Sequence, residues 1–508
     1  MSDAVTFKAL FASGADSAPA ISAPGRPALT HGQLRSLVGK TISSLNALGV
    51  GRNDRVAIVL PNGPEMATCF IAVASGTTSA PLNPAYRAEE FEFYLNDLNA
   101  RILIVERGSQ SPAVDVARKL GVRIVDLVAD ANGPAGDFEL VAREAGTAAA
   151  ANPGYAEADD VALVLHTSGT TSRPKIVPLS QRNVCASAQN ICRTLAFVPA
   201  DRGLNVMPLF HIHGLIAGIL APLSAGAQVF CSPGFDALKF FAWMDECHPT
   251  WYTAVPTMHQ TIVSRAPRNK EIIARNPLRF LRSSSSSMPP QVIGELEEIF
   301  HAPLIEAYGM TEAAHQMASN PLPPKPRKPG TVGLAAGPDV DIMDEAGKLL
   351  PPNTIGEIVI RGANVTAGYE NNPKANAEGF TNGWFRTGDQ GVKDADGYIA
   401  LTGRLKEIIN RGGEKISPRE IDEVIMDHPG VAQVVCFAMP HAKLGEEVAA
   451  AVVLKEGAAV TEKELQQFVA SRVADFKVPK KILILAEIPK GATGKLQRIG
   501  LAQKLGLA

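Results

Sequence analysis

The amino-acid sequence predicts an α/β protein: a large N-terminal domain of parallel sheets flanked by helices, with a small β subdomain, followed by a small α+β C-terminal domain. Its 508 residues are too many for one ordinary hydrophobic core, so at least two domains are expected. Short apolar runs alternate with helical stretches early in the chain, as in folds built from strand–helix–strand units. The residue pattern then changes near residue 325 and again near residue 403.

The predicted strands of the N-terminal part are short apolar runs that end at turn residues. Arg55–Leu60 (RVAIVL) is a predicted buried strand, which stops at the turn PNGPE and is followed by a helix over Met66–Ala74. The same pattern predicts strands at Arg101–Val105, Val122–Leu127 and Val161–Leu165, and a helix over Ala113–Leu120. This alternation indicates parallel sheets covered by helices.

The proline-rich segment Pro321–Pro329 (PLPPKPRKP) sustains neither a helix nor an inner strand. Gly-rich turns and short strands such as Gly356–Arg361 follow it, which predicts a small β subdomain over about 325–402. Beyond it, the pattern predicts an amphipathic helix at Pro418–Asp427, strands at 433–438 and 448–454, a helix at 462–473 and a strand at Lys481–Leu485. We therefore expect an N-terminal domain over 1–402 and a C-terminal domain over 403–508.

The composition excludes several classes of protein. The net charge is −2 and the pI is 6.6, so bulk attraction to nucleic acid or to an anionic membrane is not expected. No apolar run approaches the roughly 20 residues that span a bilayer, and the N-terminus lacks the pattern of a signal peptide. The six cysteines are scattered without a CxxC pair, as in reduced proteins. These features predict a cytoplasmic protein with no membrane or nucleic-acid partner.

The segment 166–175 (HTSGTTSRPK) directly follows the predicted strand Val161–Leu165. Its hydroxyl groups and free backbone N–H groups suit phosphate oxygens, and Lys175 would neutralise their charge. It is not a Walker loop, because GxxxxGK[ST] is absent. Taken alone, an exposed polar connection between a strand and a helix explains the composition equally well.

Four further motifs decide between these interpretations. They are YGMTE at 308–312, GWFRTGD at 383–389, GRLKEII at 403–409 and PKGATGK at 489–495. In this order, and together with PLNPAY at 81–86, they resemble the adenylate-forming superfamily, which includes acyl-CoA synthetases, firefly luciferase and peptide-synthetase adenylation domains. The resemblance covers nearly the whole chain. It implies an ATP-dependent acid–CoA ligase that forms an acyl-adenylate and then an acyl-CoA thioester, releasing pyrophosphate and AMP.

The resemblance also implies which residues bind the nucleotide. Glu312 and Thr167 would hold Mg²⁺, Thr311 would contact the α-phosphate, and Tyr308 would stack on adenine. Asp389 would accept the ribose hydroxyls, and Arg404 would contact ribose or phosphate. The implied ATP- and AMP-binding residues are Thr167, Ser168, Gly169, Thr170, Thr171, Lys175, Glu306, Ala307, Tyr308, Gly309, Thr311, Asp389, Arg404 and Lys495.

One position departs from the family pattern. The family usually has Gly directly after the loop lysine, whereas this sequence has Ile176. A β-branched side chain disfavours positive φ. If this position needs a glycine conformation, we expect the loop to close differently or to work less well.

The C-terminal domain would be mobile and carry the catalytic lysine. By resemblance, Lys495 lies between the carboxylate and the α-phosphate during adenylation, and Lys406 is the hinge about which the domain rotates. A solvated surface lysine is the structural alternative for Lys495. The segment with Arg411, Gly412, Gly413 and Lys415 would line the coenzyme A tunnel. The implied catalytic residues are Lys495, Glu312, Thr311 and His211.

The segments expected to form the acid pocket are unusually polar: LFHIHG at 209–214, RSSSSSM at 282–288 and MTEAAHQM at 310–317. Two imidazoles and a serine suit the distal carboxylate of a very small diacid, because a buried carboxylate needs partners. The first of these segments carries both His211 and His213, and packing alone also explains His213.

WYTAVPTMH at 251–259, with EAYGMTEAAH, resembles the oxalate–CoA ligases, which implies that His211, Ser285 and His315 hold oxalate. The expected small molecules are therefore oxalate, ATP with Mg²⁺, and coenzyme A, acted on by a monomer or a homodimer. Three alternatives stay open. The acid would otherwise be malonate, a fatty acid or an aryl acid in the same class of enzyme. The acyl group would otherwise go to a carrier protein, or the chain would be a non-catalytic nucleotide- or RNA-binding protein.

Overall fold

A computed structural model of the chain describes residues 3–144, 148–167, 174–489 and 496–508. Most of the predicted phosphate loop, with Ser168, Gly169, Thr170 and Thr171, and the predicted catalytic Lys495 lie outside the described residues. The chain divides into two compact units. The first comprises Met1–Thr167, Ile176–Val340 and Arg361–Glu378, and the second comprises Ser168–Lys175, Asp341–Ile360 and Gly379–Ala508.

The first unit is built on two large sheets. The first sixteen strands along the chain are β1 Pro19–Ala23, β2 Arg26–Thr30, β3 Arg55–Val59, β4 Thr78–Pro81, β5 Ile102–Glu106, β6 Arg123–Val128, β7 Glu139–Ala142, β8 Val161–Thr167, β9 Lys175–Ser180, β10 Arg202–Asn205, β11 Gln228–Cys231, β12 Trp251–Ala254, β13 Phe280–Ser283, β14 Leu304–Met310, β15 His315–Ser319 and β16 Leu334–Ala335. One sheet has nine strands in the order β16-β15-β14-β13-β12-β10-β11-β1-β2, and the other has seven in the order β7-β6-β5-β3-β4-β8-β9.

The central pairings of both sheets are parallel, from β11 to β14 in the first and from β3 to β6 in the second. Parallel pairing requires a crossover between strands, which the intervening helices supply. These strands are almost entirely buried, as expected for a sheet covered on both faces. The predicted α/β class is therefore confirmed, and each predicted strand of this part agrees within a residue or two.

The helices begin at residues that suit a helix N-terminus. They are α1 Phe7–Leu10, α2 His31–Ala47, α3 Pro64–Ala74, α4 Ala88–Leu98, α5 Pro112–Leu120, α6 Gln181–Thr194, α7 Ala221–Ser224, α8 Phe240–Cys247, α9 Pro256–Arg265, α10 Lys270–Arg275, α11 Pro290–Phe300 and α12 Pro373–Gly379. Capping boxes from Thr30 and Ser180 start α2 and α6, and α3 has proline at its first position. One segment, His213–Leu220, is a π-helix.

The second unit contains two smaller, mainly antiparallel sheets. Its strands, with those at its edges, are β17 Asp339–Met343, β18 Gly356–Arg361, β19 Phe380–Thr381, β20 Trp384–Lys393, β21 Ile399–Arg404, β22 Ile409–Arg411, β23 Glu414–Ile416, β24 Val431–His441, β25 Gly445–Leu454 and β26 Lys481–Ile484. Strands β17 to β21 form one sheet and β22 to β26 the other. Its helices are α13 Pro418–Met426, α14 Glu462–Ala470 and α15 Leu501–Lys504.

The second sheet of this unit has its own apolar core. Ile409, Ile421, Ile425, Val448 and Leu465 are fully buried in it, because α13 and α14 each present one apolar face to the sheet. The predicted helix at 462–473 ends at Ala470, and the predicted strands at 433–438 and 448–454 lie within the longer β24 and β25. The division of the chain into domains 1–402 and 403–508 stays a prediction.

None of the helices in the described ranges has the length and the apolar content needed to cross a bilayer.

Candidate active site

Two neighbouring parallel strands, β13 and β14, carry the serine run and the YGMTE motif. Their register pairs Arg282 with Ile305 and Ser283 with Glu306. Because the carboxyl ends of parallel strands lie at one edge of a sheet, the residues after both strands meet there. The hydroxyl of Ser284 confirms this closeness, since it donates to the carbonyl oxygen of Ala307 at 2.9 Å.

The turn between β14 and β15 holds several residues in unusual backbone conformations. His315 has φ of 100° and Ala314 has φ of 46°, both in the left-handed region. Ser285 in the facing loop has φ of 72°. Such conformations cost free energy in non-glycine residues and are concentrated at functional sites.

Gly309 is required in the same turn by a close approach of the backbone. A Cβ atom at this position would lie 1.9 Å from the carbonyl oxygen of His315. No side chain fits there, so the glycine allows β14 and β15 to pair directly across the turn. Its role in this structure is therefore steric, and it positions His315.

The structure brings four polar side chains of this region into one group, which we call the polar cluster: His213, Arg282, Ser285 and His315. The rings of His213 and His315 stack, with centroids 4.9 Å apart and planes inclined by 18°. The Nδ1 atom of His213 is 3.0 Å from the Ser285 hydroxyl. The guanidinium of Arg282 reaches Nε2 of His213 at 3.2 Å and Nε2 of His315 at 3.1 Å.

The polar cluster is enclosed by the first unit. Arg282 is completely buried, and His213 and His315 are exposed by only 2% and 1%. Burial lowers the pKa of Arg282 to about 9, because the charged guanidinium is deprived of water. At neutral pH the cluster therefore still carries a buried positive charge, and it suits an anionic ligand better than an apolar one.

His211 and His213 take different places. The ring of His211 is half-buried and contacts the ring of Phe210, with centroids 4.6 Å apart. It is His213, at the start of the π-helix, that has the contact with Ser285. The structure thus brings together Ser285 and His315, two of the three predicted acid-binding residues. The histidine beside them is His213, for which the sequence also allowed packing alone as an explanation.

Glu312, a predicted Mg²⁺ ligand, is held by Tyr369. The carboxylate is 6% exposed, and the Tyr369 hydroxyl donates a hydrogen bond to its Oε1 atom at 2.8 Å. Burial raises the pKa of the Tyr369 hydroxyl, and the charge of Glu312 raises it further. Tyr369 therefore keeps its proton and remains a donor to Glu312.

The residues expected at adenine lie along β14. Tyr308 is 9% exposed, and Glu306 accepts a hydrogen bond from the backbone N–H of Gly330 at 3.2 Å. Thr311 and Glu312 form a single 3₁₀ turn directly after the strand. The whole motif is thus fixed by the sheet and is not part of a loose loop.

The site fits Mg²⁺ that arrives with a nucleotide. In the part of the chain that the structure describes, no group of three or more His, Cys, Asp or Glu side chains suits a metal ion. Mg²⁺ in nucleotide sites typically takes one or two carboxylates and completes its shell with phosphate oxygens and water. The buried carboxylate of Glu312 fits this pattern, and the half-buried Thr167 ends β8.

In the second unit, the predicted ribose-binding residues pair with each other. Asp389 and Arg404 are opposite residues of β20 and β21, and the Arg404 Nε atom is 2.8 Å from Asp389 Oδ1. Asp389 is 4% exposed, whereas Arg404 is exposed. Lys406, the predicted hinge, is exposed in the 3₁₀ turn that follows β21.

The segment expected to meet coenzyme A is a tight hairpin. Gly412 and Gly413 join β22 to β23 with φ of 59° and 100°, the conformation typical of two-residue hairpin turns. Arg411 is paired with Glu447 at 2.6 Å, and Lys415 is exposed. The turn itself thus accounts for both glycines.

Ile176 follows Lys175 at the start of β9 and is a core residue. It is 6% exposed and packs with Val164 and other apolar side chains of the seven-stranded sheet. Its φ is not positive. This position therefore does not need a glycine conformation in this chain.

The sequence patterns did not identify two residues of the site. Arg282 directly precedes the serine run, and the motif does not distinguish it from the serines. A lone cation inside the apolar strand β13 is the signal that could have identified it. Tyr369 belongs to no recognised motif and lies far from Glu312 in sequence, so only the folded structure reveals its contact.

Comparison with known proteins extends these observations. The family model described as AMP-binding enzyme matches residues 11–370, and that described as AMP-binding enzyme C-terminal domain matches residues 420–495. An oxalate–CoA ligase of Arabidopsis thaliana is 46% identical over 490 residues, covering 95% of each chain. An oxalate–CoA ligase of Saccharomyces cerevisiae is 43% identical, covering 89% of this chain and 87% of that one. The crystal structure of ATP-bound MatB from Rhodopseudomonas palustris superposes with a TM-score of 0.87 at 29% identity, covering 98% of both.

Proposed function

The chain belongs to the family of AMP-binding enzymes, and from that premise we propose that it is an AMP-forming acid–CoA ligase whose acid is oxalate. The observation that carries the choice of acid is the polar cluster of His213, Arg282, Ser285 and His315. An acid bound beside two imidazoles, a hydroxyl and a buried cation would be stabilised more by a second carboxylate than by an alkyl chain. Two relatives described as oxalate–CoA ligases support the same choice.

The reaction has two steps. In the first, a carboxylate oxygen of the acid attacks the α-phosphorus of ATP, the bond to the bridging oxygen breaks, and pyrophosphate leaves. In the second, the thiol sulfur of coenzyme A attacks the acyl carbon of the adenylate, loses its proton, and AMP leaves. The protein chiefly screens like charges and stabilises the extra negative charge of each transition state.

We assign the phosphate contacts to the loop after β8. Lys175 and the hydroxyl residues Thr167, Ser168, Thr170 and Thr171, together with Gly169, would surround the phosphates. Glu312 would hold Mg²⁺, which neutralises phosphate charge when bound. Thr311 would contact the α-phosphate. Its place directly after β14 supports this role.

We assign the adenine base to residues of β14 and the ribose to Asp389 in β20. Glu306, Ala307, Tyr308 and Gly309 would border the adenine, since they lie along one strand. Asp389 would accept the ribose hydroxyls. It would do so with Arg404 as its neighbour, which is 2.8 Å from its Oδ1 atom.

The C-terminal domain over 403–508 would act by moving between the two steps. Lys495 would contribute its charge only during adenylation, and rotation about Lys406 would then remove it. The hairpin with Arg411, Gly412, Gly413 and Lys415 would be brought over coenzyme A instead. Its tight two-glycine turn supports close approach to a narrow ligand. Such alternation is a gating step.

The first half-reaction tests this proposal without coenzyme A. Oxalate-dependent exchange of labelled pyrophosphate into ATP should be readily measured in the wild-type protein. Lys495→Ala should lower it by at least about 100-fold, because the transition state loses a charge partner. Transfer to coenzyme A from supplied oxalyl-adenylate should be largely kept. Lys504→Ala, an exposed lysine of α15, should leave both reactions unchanged.

Retained exchange in Lys495→Ala would overturn the role of that lysine. Exchange that requires a medium-chain fatty acid, malonate or coumarate instead of oxalate would overturn the choice of acid but spare the reaction class. An absence of exchange with any acid, together with tight RNA binding, would favour the non-catalytic alternative.

A further inference from the structure

The guanidinium of Arg282 is a buried cation without a carboxylate partner among the described residues. Arg282 is completely enclosed in β13, and its polar neighbours are His213, Thr253, His315 and Gln316. Within the described ranges, its Nε atom has no hydrogen-bond partner. A buried charge is costly unless it is matched, so its environment is complete only when a negative charge is added nearby.

The direction of the hydrogen bonds around Arg282 fixes the imidazoles. A guanidinium donates only, so Nε2 of His213 and Nε2 of His315 must both be acceptors. Each neutral ring then carries its proton on Nδ1. The Thr253 hydroxyl, 2.7 Å from Nε2 of His213, shares the single lone pair of that atom with the guanidinium.

This tautomer determines what Ser285 does. The Nδ1–H group of His213 donates to the Ser285 oxygen at 3.0 Å. The serine hydroxyl accepts that hydrogen bond and keeps its own proton for a second partner. Ser285 is only half-buried, so it can present this proton to a ligand. Both Ser285 and His315 have left-handed backbone conformations, which are concentrated at functional sites.

We propose that Arg282 is a positioning residue that fixes His213 and His315 as Nδ1–H tautomers and supplies the positive charge that selects an acid with a second negative group. This inference rests on the proposed function and deepens it. Arg282 does not touch the acid, because it is fully enclosed. It acts through the two imidazoles and through its field, which is strong where water is excluded.

If Arg282 acts in this way, the protein selects its acid by the charge of the acid and not by its size. A dianionic acid brings a second carboxylate that compensates the cation of the cluster. A monoanionic acid of the same size leaves that cation unmatched. Oxamate, the monoamide of oxalate, is such an acid, since it has the same number of heavy atoms and one carboxylate fewer.

The test compares oxalate with oxamate in acid-dependent pyrophosphate exchange. In the wild-type protein, kcat/KM for oxalate should exceed that for oxamate by a factor on the order of 100. Arg282→Met should lower kcat/KM for oxalate to near the value for oxamate. In the same variant, kcat/KM for oxamate and the KM for ATP should each change less than about threefold. Arg282→Lys should restore part of the preference, because it returns the charge without the two fixed hydrogen bonds.

Arg275→Met is the matched control, since this arginine is paired with Asp245 at the surface. It should leave the ratio of oxalate to oxamate unchanged. An Arg282→Met protein that folds and keeps the wild-type ratio would overturn the inference. Wild-type protein that uses oxamate as well as oxalate would overturn it without any variant, so the test does not depend on the folding of Arg282→Met.

The same experiment separates this inference from the proposed function. If wild-type protein does not use oxalate, the choice of acid fails whatever Arg282 does. If it uses oxalate and the ratio is insensitive to Arg282, only the inference fails.

Discussion

The carboxylate of Glu312 is positioned by a residue far along the chain. Tyr369 donates a hydrogen bond to it at 2.8 Å, and both side chains are buried. A hydrogen bond to a charged group contributes about 1.5–3 kcal/mol. The Tyr369 hydroxyl therefore holds the Oε1 atom of Glu312 in place.

Tyr369→Phe should raise the KM for MgATP by about tenfold, because this hydrogen bond to a charged acceptor is lost while the ring is kept. The measurement is pyrophosphate exchange over a series of Mg²⁺ concentrations. Tyr155→Phe is the control, since its ring lies under Lys8 and its hydroxyl lies beside Gly39. An unchanged Mg²⁺ dependence in Tyr369→Phe would show that the hydroxyl does not position the carboxylate.

Individual site residues were predictable from the sequence only where a motif names them. Ser285 and His315 lie within recognisable segments, and the structure places them in one cluster. The place of His213 in the polar cluster was not predictable, because it depends on the π-helix at His213–Leu220. That helix has a wider turn than an α-helix and so changes the direction of each side chain.

At the scale of secondary structure, β9 begins at Lys175, the last residue of the predicted phosphate loop. Ile176 follows the loop lysine but lies in the core beside β8. Its side chain fills space that a glycine would leave empty. The departure from the family pattern is therefore a matter of packing and not of loop conformation.

Ile176→Gly should destabilise the protein by about 3–5 kcal/mol, because a buried side chain is removed from a strand interior. Ile176→Val should cost only about 0.5–1.5 kcal/mol. Urea unfolding of both variants checks these values, and ATP kinetics under native conditions should change little. A stable Ile176→Gly protein with an altered KM for ATP would instead place the effect in the loop.

Elements with a clear period were predicted well, and irregular ones were not. The strands β3, β5, β6 and β8 follow apolar runs that only a covered sheet can bury. The hairpin from β14 to β15 has no such pattern, since it depends on the close approach at Gly309. The turn between β14 and β15 was therefore predictable only from the motif YGMTE at 308–312.

At the scale of the whole molecule, the fold class followed from the alternation of strands and helices, whereas the order of strands did not. The nine-stranded sheet places β1, from the start of the chain, beside β11. Such long-range pairing depends on the total packing of both layers, which no local pattern encodes. The match to the family of AMP-binding enzymes, over residues 11–370 and 420–495, indicates the fold of the whole chain instead.

We propose that the molecule joins oxalate to coenzyme A and converts ATP into AMP and pyrophosphate. The most direct measurement is a competition in which wild-type protein receives ATP, Mg²⁺, coenzyme A and equal concentrations of oxalate, malonate and butyrate, with the thioesters identified by mass spectrometry. Oxalyl-CoA should be the main product, with one AMP formed for each thioester. A larger yield of malonyl-CoA or butyryl-CoA, or release of ADP in place of AMP, would contradict the account.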